Sequence, residues 1–457
     1  MFENVIVDQN PHWEGVSYQE GTPRELLGKV KDYLDLPHII ALVGVRRAGK
    51  STLARQTINH LIRDKGIPPR NILFMNLENP QFSRYRNDVL YLDRAYEDYL
   101  KLAAPKGVIY CFLDEVHFFP EWQLFVKAKY EQQQIKFIVT GSNSHLLSSE
   151  FITLLSGRAL PVEVYPFSFP EFALARGVDL PDAVAVTRER NRLRGLLDDY
   201  LRFGGFPEIC NLDIPAIKKD ILVMYARNIL YQDIAPRFSI KKAVELENLF
   251  FYLASNISSL YSFNKLADLV GLNDKTVKEY LGYFSDAYLL FTLDLHAFSA
   301  KEQIKSPKKI YTVDTGITGA VRFGFSENRG HLLENQIFLE LKRRGHQLFY
   351  YKTSNGLEVD FACCTGGRIT HLVQVAQDLS DDKTRNRETR SLLKAMDETG
   401  LEYGEIVTYE EDGELVVNGK TIRLTSAYNY LLGLENNADS TVPGGGESSR
   451  DERRIGA

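Results

Sequence analysis

The sequence predicts an α/β fold: a parallel sheet covered by helices, followed by further helical and mixed parts. Three observations predict it. Apolar runs at 39–43, 72–77, 108–113 and 135–140 alternate with helical stretches. Continuous apolar runs are what a parallel sheet buried on both faces requires. A loop framed by glycines, Gly44-Val45-Arg46-Arg47-Ala48-Gly49-Lys50-Ser51, joins the first run to a helical pattern at 51–61. The third run ends in two carboxylates, Asp114 and Glu115.

The chain has 457 residues, enough for two to four domains. Its 44% apolar and 25% charged content is ordinary for a soluble protein. A net charge of -5 gives no global basic footprint for nucleic acid, although a local basic groove stays open. No apolar run is long enough to span a bilayer, and residues 1–8 lack a signal-peptide pattern. Cys111, Cys210, Cys363 and Cys364 form neither a metal-ligand spacing nor a disulfide framework. A cytoplasmic location with no membrane partner is the expectation.

Taken in order, residues 1–165 read as the α/β core, entered through a helix at 23–36 with Thr22 as cap and Pro23 in the first turn. Residues 166–240 read as a helical extension broken by Gly204-Gly205-Phe206-Pro207. Residues 241–305 hold three short helical patterns, one ending at Gly271 and the next capped by Asn273. Residues 306–435 mix strands at 310–313, 348–352, 358–363, 369–375, 405–409 and 422–424 with helices at 332–344 and 384–399. Residues 436–457 are nearly devoid of apolar side chains and are expected to be disordered.

The glycine-framed loop fits the P-loop pattern. Its glycines let successive N–H groups face phosphates, and the helix opening at Gly49 adds its positive end. Lys50 supplies charge at the β- and γ-phosphates, and Ser51 offers a hydroxyl to Mg²⁺. Gly44, Val45, Arg46, Arg47, Ala48, Gly49, Lys50, Ser51 and Thr52 are therefore the candidate nucleotide-binding residues. Asp114 is expected to hold the ion through water, and Glu115 to polarise the attacking water. After the next strand, Ser142 and Asn143 either reach toward the γ-phosphate or cap a helix. Arg158 is either an arginine finger, in cis or in trans, or a surface ion-pair residue. Arg46 or Arg47 can contact phosphate or a neighbouring acid, and Glu78 can face the same site. No Asn-Lys-x-Asp element of the guanine-reading kind occurs, which favours ATP.

Gly44–Ser51, Leu113-Asp114-Glu115, Thr140-Gly141-Ser142 and Leu155-Ser156-Gly157-Arg158 together resemble the AAA+-type ATPases of prokaryotes. More narrowly, the chain resembles the group in which such an ATPase precedes a C-terminal domain of unknown function. Residues 162–172, 200–208, 314–316, 333–338 and 358–361 carry that likeness, which covers roughly residues 20–430. The resemblance implies an AAA+-like core, a helical extension or lid, a winged-helix-like middle domain and a C-terminal restriction-endonuclease-like domain. It also implies a sensor role for Ser142 and a finger role for Arg158.

The pair of helical patterns at 263–270 and 274–290 has helix-turn-helix spacing. The second carries Lys275 and Lys278 against Asp274, Glu279 and Asp286, an unfavourable balance for gripping phosphates. Tyr280, Tyr283 and Phe284 suit either contact with a partner or an interdomain core. In the C-terminal part, Glu334, Asp360 and Gln374 have the spacing of a PD-(D/E)XK nuclease, but the position of its lysine is Ala376. Lys352 and Lys383 are the substitutes the sequence offers. The preferred reading there is an inactive nuclease fold used for interaction.

The resulting expectation is a Mg²⁺-dependent ATPase that couples hydrolysis to conformational change. An ATP-dependent DNA-binding regulator or defence component and a nucleotide-gated nuclease are the alternatives. Expected partners are ATP, duplex DNA, and a protein partner or second copy of the chain.

Overall fold

The structure is a computed structural model that describes residues 2–131, 135–142, 157–180, 183–297, 299–321 and 329–434. Asn143 and the expected disordered tail lie outside the described residues.

The first layer is a five-stranded sheet, β1 (Ile39–Val43), β2 (Ile72–Asn76), β3 (Ile109–Asp114), β4 (Ile135–Gly141) and β5 (Ala159–Glu163), in the order β2-β3-β4-β1-β5. Every pairing is parallel. Strand β1, flanked by β4 and β5, is buried at all five positions, as its unbroken apolar run requires. Strand β5 lacks the continuous apolar run that marks the other four. Pro161 interrupts it, and a proline is tolerated because β5 is an edge strand paired only with β1.

Helix α1 runs from Leu26 to Leu34, and the predicted start at Pro23 is not used. The residues just before it are held by the helical segment instead. The Glu25 N–H donates to Glu171 Oε1 at 2.8 Å, and Arg24 is buried beside it. Helix α2 (Lys50–Arg63) leaves the glycine loop at Gly49. Residues 166–240 are helical: α3 (Phe169–Ala175), α4 (Arg190–Phe203), a short turn Pro207–Cys210, α5 (Pro215–Asn228) and a π-helical turn Ile229–Ile234.

Next comes a three-stranded antiparallel sheet, β6 (Leu260–Tyr261), β7 (Leu290–Leu293) and β8 (Lys308–Thr312), in the order β6-β8-β7. Between β6 and β7 lie α6 (Phe263–Val270) and α7 (Asp274–Asp286). Asn273 caps α7 by accepting the Thr276 N–H at 2.8 Å. Val277, Tyr280, Leu281 and Phe284 of α7 point into the core, and Tyr283 stacks on Phe238 with ring centroids 3.8 Å apart. The aromatic residues of α7 are therefore packing residues.

The last layer is a mixed six-stranded sheet: β9 (Gln347–Lys352), β10 (Glu358–Thr365), β11 (Arg368–Ala376), β12 (Tyr403–Thr408), β13 (Gly413–Val417) and β14 (Lys420–Ser426), ordered β13-β14-β12-β11-β10-β9. Helices α8 (Arg329–Arg343) and α9 (Asp382–Thr399) pack on it.

The layers are joined through buried backbone. Phe167 N–H donates to Gly205 O at 2.7 Å. Gly205 N–H donates in turn to Asp314 Oδ2 at 2.7 Å, and Gly316 N–H to Asp314 Oδ1 at 2.8 Å. Gly204 has φ +74°, and a Cβ there would lie 1.7 Å from Asp314 Oδ1. The Gly-Gly break and the Asp-Thr-Gly triplet are thus two halves of one joint.

Candidate functional site

Strands β1, β3 and β4 all end at the same edge of the parallel sheet, the usual ligand edge of open α/β folds. Gly44, at φ +146°, turns the chain out of β1 so tightly that a Cβ would lie 2.1 Å from Val164 O. Gly49, at φ +97°, starts α2. Val45 and Ala48 are buried, and Thr52 is half-buried on the first turn of α2. Lys50 is buried and folds back on the loop, donating to Gly44 O at 3.1 Å and Val45 O at 3.0 Å. Burial pushes its ammonium down, against the nearby Glu115 and Asp114.

Two hydroxyls converge on Asp114. Ser51 Oγ donates to Asp114 Oδ1 at 2.9 Å, and Thr140 Oγ1 donates to the same oxygen at 2.6 Å. Thr140 also accepts the Glu115 N–H at 3.0 Å, fixing a residue in the left-handed region at φ +55°. Burial pushes both acids up, but their partners differ. Asp114 stays raised, with Glu115 adding to burial. For Glu115, Lys50, His117 and Arg46 outweigh burial and hold the carboxyl down at about 2. Two adjacent acids thus have affinities for protons that are driven apart.

Thr140, rather than Ser142, supplies the hydroxyl from β4 that touches Asp114; Ser142 is buried just beyond the strand end. Nothing local in the sequence marks Thr140 for this role, because its partner lies on a different strand. Arg158 corrects another expectation. Its carbonyl accepts the Ile39 N–H at 2.8 Å, so it sits where β1 begins, at the opposite edge of the sheet from the loop. Its guanidinium lies 5.4 Å from the Tyr130 ring centroid. A strand of five residues, roughly 16 Å long, separates it from Gly44, so a finger in cis is ruled out.

Arg46 and Arg47 both hold acids. Arg46 bonds Glu78 Oε1 at 2.7 Å and Asp233 Oδ1 at 3.0 Å, while Arg47 bonds Glu208 Oε2 at 2.6 Å. Arg24 was not among the sequence candidates. It is buried and donates to Glu171 Oε1 at 3.0 Å, Ala48 O at 2.7 Å and Tyr165 O at 2.7 Å, so it clamps the loop from behind.

In the C-terminal layer, Glu334 of α8 and Asp360 of β10 meet, with Gln374 of β11 beside them. They line a cleft of about 710 Å³ that also includes Glu358 and Glu388. The cation between them is Lys309 of β8, in place of the expected Lys352 or Lys383. Its Nζ lies 3.1 Å from Glu334, 2.8 Å from Glu358 and 2.8 Å from Asp360. Burial pulls Lys309 down, but Asp360 and Glu334 outweigh it and hold the ammonium charged. Two further acceptors are engaged as well. Asp360 Oδ2 takes the Val375 N–H at 3.0 Å, and Gln374 Oε1 takes the Asp360 N–H at 3.1 Å. Lys309 therefore occupies oxygens of Glu334, Glu358 and Asp360 that a cation would otherwise draw on. Among the described residues no group of three His, Cys, Asp or Glu is arranged to hold a metal.

The AAA domain family matches residues 37–173, and two domains of unknown function, DUF8612 and DUF4143, match residues 194–328 and 329–429. The uncharacterized protein MJ1544 of Methanocaldococcus jannaschii is 34% identical over 428 residues, covering 90% of each chain. An uncharacterized protein of Haemophilus influenzae is 30% identical over 376 residues, 81% of this chain and 90% of that one. The Aeropyrum pernix ORC1 protein, solved in complex with DNA, aligns over 65% of this chain and 90% of its own at 13% identity and a TM-score of 0.29, a likeness too loose to bear on function. The chain belongs to the family of MJ1544 and its Haemophilus relative, and it carries an AAA+-type P-loop ATPase domain at its N-terminal end.

Proposed function

We propose that this protein is a Mg²⁺-dependent ATPase that couples hydrolysis to conformational change. One observation carries the reading: the Ser51 hydroxyl and the Asp114 carboxylate meet at 2.9 Å beside a buried lysine at the mouth of a glycine-framed loop. A hydroxyl and a carboxylate are hard oxygen donors, which suit Mg²⁺. Ser51 and Asp114 would hold the ion there, and it would supply positive charge to offset that of the phosphates.

The protein's own part is positioning. Loop N–H groups from Arg47 to Thr52 cradle the phosphates, and Lys50 leaves its carbonyl partners to meet them. Glu115, ionised at neutral pH, orients the attacking water and takes its proton as the γ-phosphoryl group moves from ADP oxygen to water oxygen. Ser142 stands at the sensor position, and Arg158 is left as a contact made in trans. The assignment of domains is 1–165 for the ATPase core, 166–240 for the helical lid, 241–305 for a winged-helix-like domain and 306–435 for an inactive nuclease-like domain. A lysine does stand among these acids, Lys309 in place of Ala376, so inactivity there is part of the proposal and rests on Lys309 staying tied to Glu334 and Asp360.

The test is ATP turnover and nucleotide binding measured on three proteins. Lys50→Ala abolishes binding. Glu115→Gln keeps binding and slows turnover by roughly 10²–10⁴-fold. Unchanged hydrolysis in Glu115→Gln removes the assignment of the base, and binding retained in Lys50→Ala removes the site.

A further inference from the structure

The helical segment after the ATPase core lies against the phosphate loop through ion pairs. Arg46 Nη1 meets Asp233 Oδ1 at 3.0 Å, and Arg47 Nη1 meets Glu208 Oε2 at 2.6 Å. Arg47 also donates to Tyr225 Oη at 3.2 Å, with its guanidinium 4.5 Å from that ring centroid. Both arginines belong to the loop that cradles phosphate. Glu208, Tyr225 and Asp233 all belong to the segment 207–234.

Three features set Asp233 apart from a surface ion pair. It sits in the π-helical turn Ile229–Ile234, a costly geometry that recurs at functional positions. Lys50, Glu115 and His117 are its electrostatic neighbours, so it faces the phosphate end of the site. Its Oδ2 is buried and accepts no hydrogen bond among the described residues. The gap bounded by Arg46, Arg47, Tyr225, Asn228, Ile229 and Gln232 has a volume of only about 70 Å³. That is room for a few waters at most.

A guanidinium binds carboxylate and phosphate with the same planar fork, so the two anions compete for it. We propose that segment 207–234 is a latch on the ATP site: Asp233 and Glu208 hold Arg46 and Arg47 as stand-ins for phosphate, and a nucleoside triphosphate releases the segment by taking the arginines from them. The proposal rests on the nucleotide reading above and adds to it how binding reaches the rest of the chain. Two acids that oppose the ligand lower its affinity, and their release is the conformational signal. Glu78, the other partner of Arg46, follows β2 in the core and lies outside the segment, so it is no part of the latch.

The experiment uses the full chain, a fluorescent ATP analogue with Mg²⁺, and hydrogen exchange of residues 215–234. Asp233→Asn with Glu208→Gln is expected to tighten analogue binding about tenfold and to raise exchange of the segment without ligand. In the unaltered protein the analogue is expected to raise the same exchange. Glu78→Gln serves as the comparison and leaves exchange of the segment unchanged. Equal affinity in both proteins, with exchange indifferent to the analogue, overturns the latch and leaves the nucleotide site standing. Binding by neither protein removes the nucleotide reading, and the latch with it. Binding by the double variant alone supports the latch.

Discussion

Lys309 of β8 places its ammonium 2.8 Å from Asp360 of β10, so a strand of the middle layer fills the acidic centre of the C-terminal layer. The two residues are 51 positions apart in sequence. Lys309 also meets Glu334 and the partly exposed Glu358, and burial together with Asp360 raises the Glu334 carboxyl to about 8.

Lys309→Met leaves those carboxylates without their counter-charge. Breaking a buried pair from one side costs about 3–5 kcal/mol. Urea unfolding is the measurement. Millimolar Mg²⁺ or Ca²⁺ is expected to recover part of the loss in the variant and to leave the unaltered protein unchanged, because only the variant frees the oxygen donors.

Asp314 predicts a pH dependence. Burial raises its carboxyl from 3.8 to about 7, against the backbone N–H groups of Gly205 and Gly316. Between those values the unfolded chain binds fewer protons than the folded one. The contribution of Asp314 to stability therefore falls as pH rises from about 4 to about 7 and is level above that, with a slope of up to about 1.4 kcal/mol per pH unit. Asp314→Asn removes that slope. Unfolding free energies at several pH values, compared between the two proteins, test it; identical slopes contradict the assignment.

Arg24 is the clamp behind the loop, with side-chain exposures of 2% for itself and 4% for Glu171. Arg24→Met strands Glu171 and two carbonyls, and is expected to cost about 3–5 kcal/mol in thermal or urea unfolding. Arg24→Lys recovers little of this, since an ammonium cannot span Glu171, Ala48 and Tyr165 as the guanidinium fork does.

Gly44→Ala forces a side chain against the Val164 carbonyl at a backbone angle that L residues rarely adopt. Backbone strain alone costs about 1–3 kcal/mol. Nucleotide binding is expected to fall with stability, because relief of the clash moves the turn that forms the cradle. Titration with an ATP analogue checks this beside a melting curve.

Helix α7 pairs its own charges, Lys278 with Asp274 at 3.1 Å and Lys275 with Glu279 at 4.0 Å. Replacing both lysines by alanine is expected to leave duplex DNA affinity unchanged at about 0.15 M salt. A fall in affinity together with a shallower salt dependence makes this helix a phosphate-contacting element instead.

What the sequence made legible was local. The β1 run, the glycine loop and the start of α2 adjoin one another, so their geometry follows from neighbours. Asn273 as the α7 cap was legible for the same reason. The residues that escaped act across the fold. Arg24 reaches Glu171, Lys309 reaches Asp360, and Thr140 reaches Asp114, each across separate elements. No periodicity encodes such meetings. Arg158 shows the converse: a suggestive residue type in a suggestive order lies at the sheet edge away from its own chain's loop, because β5 begins there.

The joint between Phe167, Gly205, Asp314 and Gly316 governs how the protein can be dissected. A fragment that stops before residue 314 bares the Gly205 amide and removes the helices Thr315–Val321 and α8, two of the elements that pack against α4. A core isolated by cutting after the helical segment would therefore carry a raw edge, sticky and poorly soluble. A piece that runs on through α8 keeps both the Asp314 acceptor and the helices that cover α4.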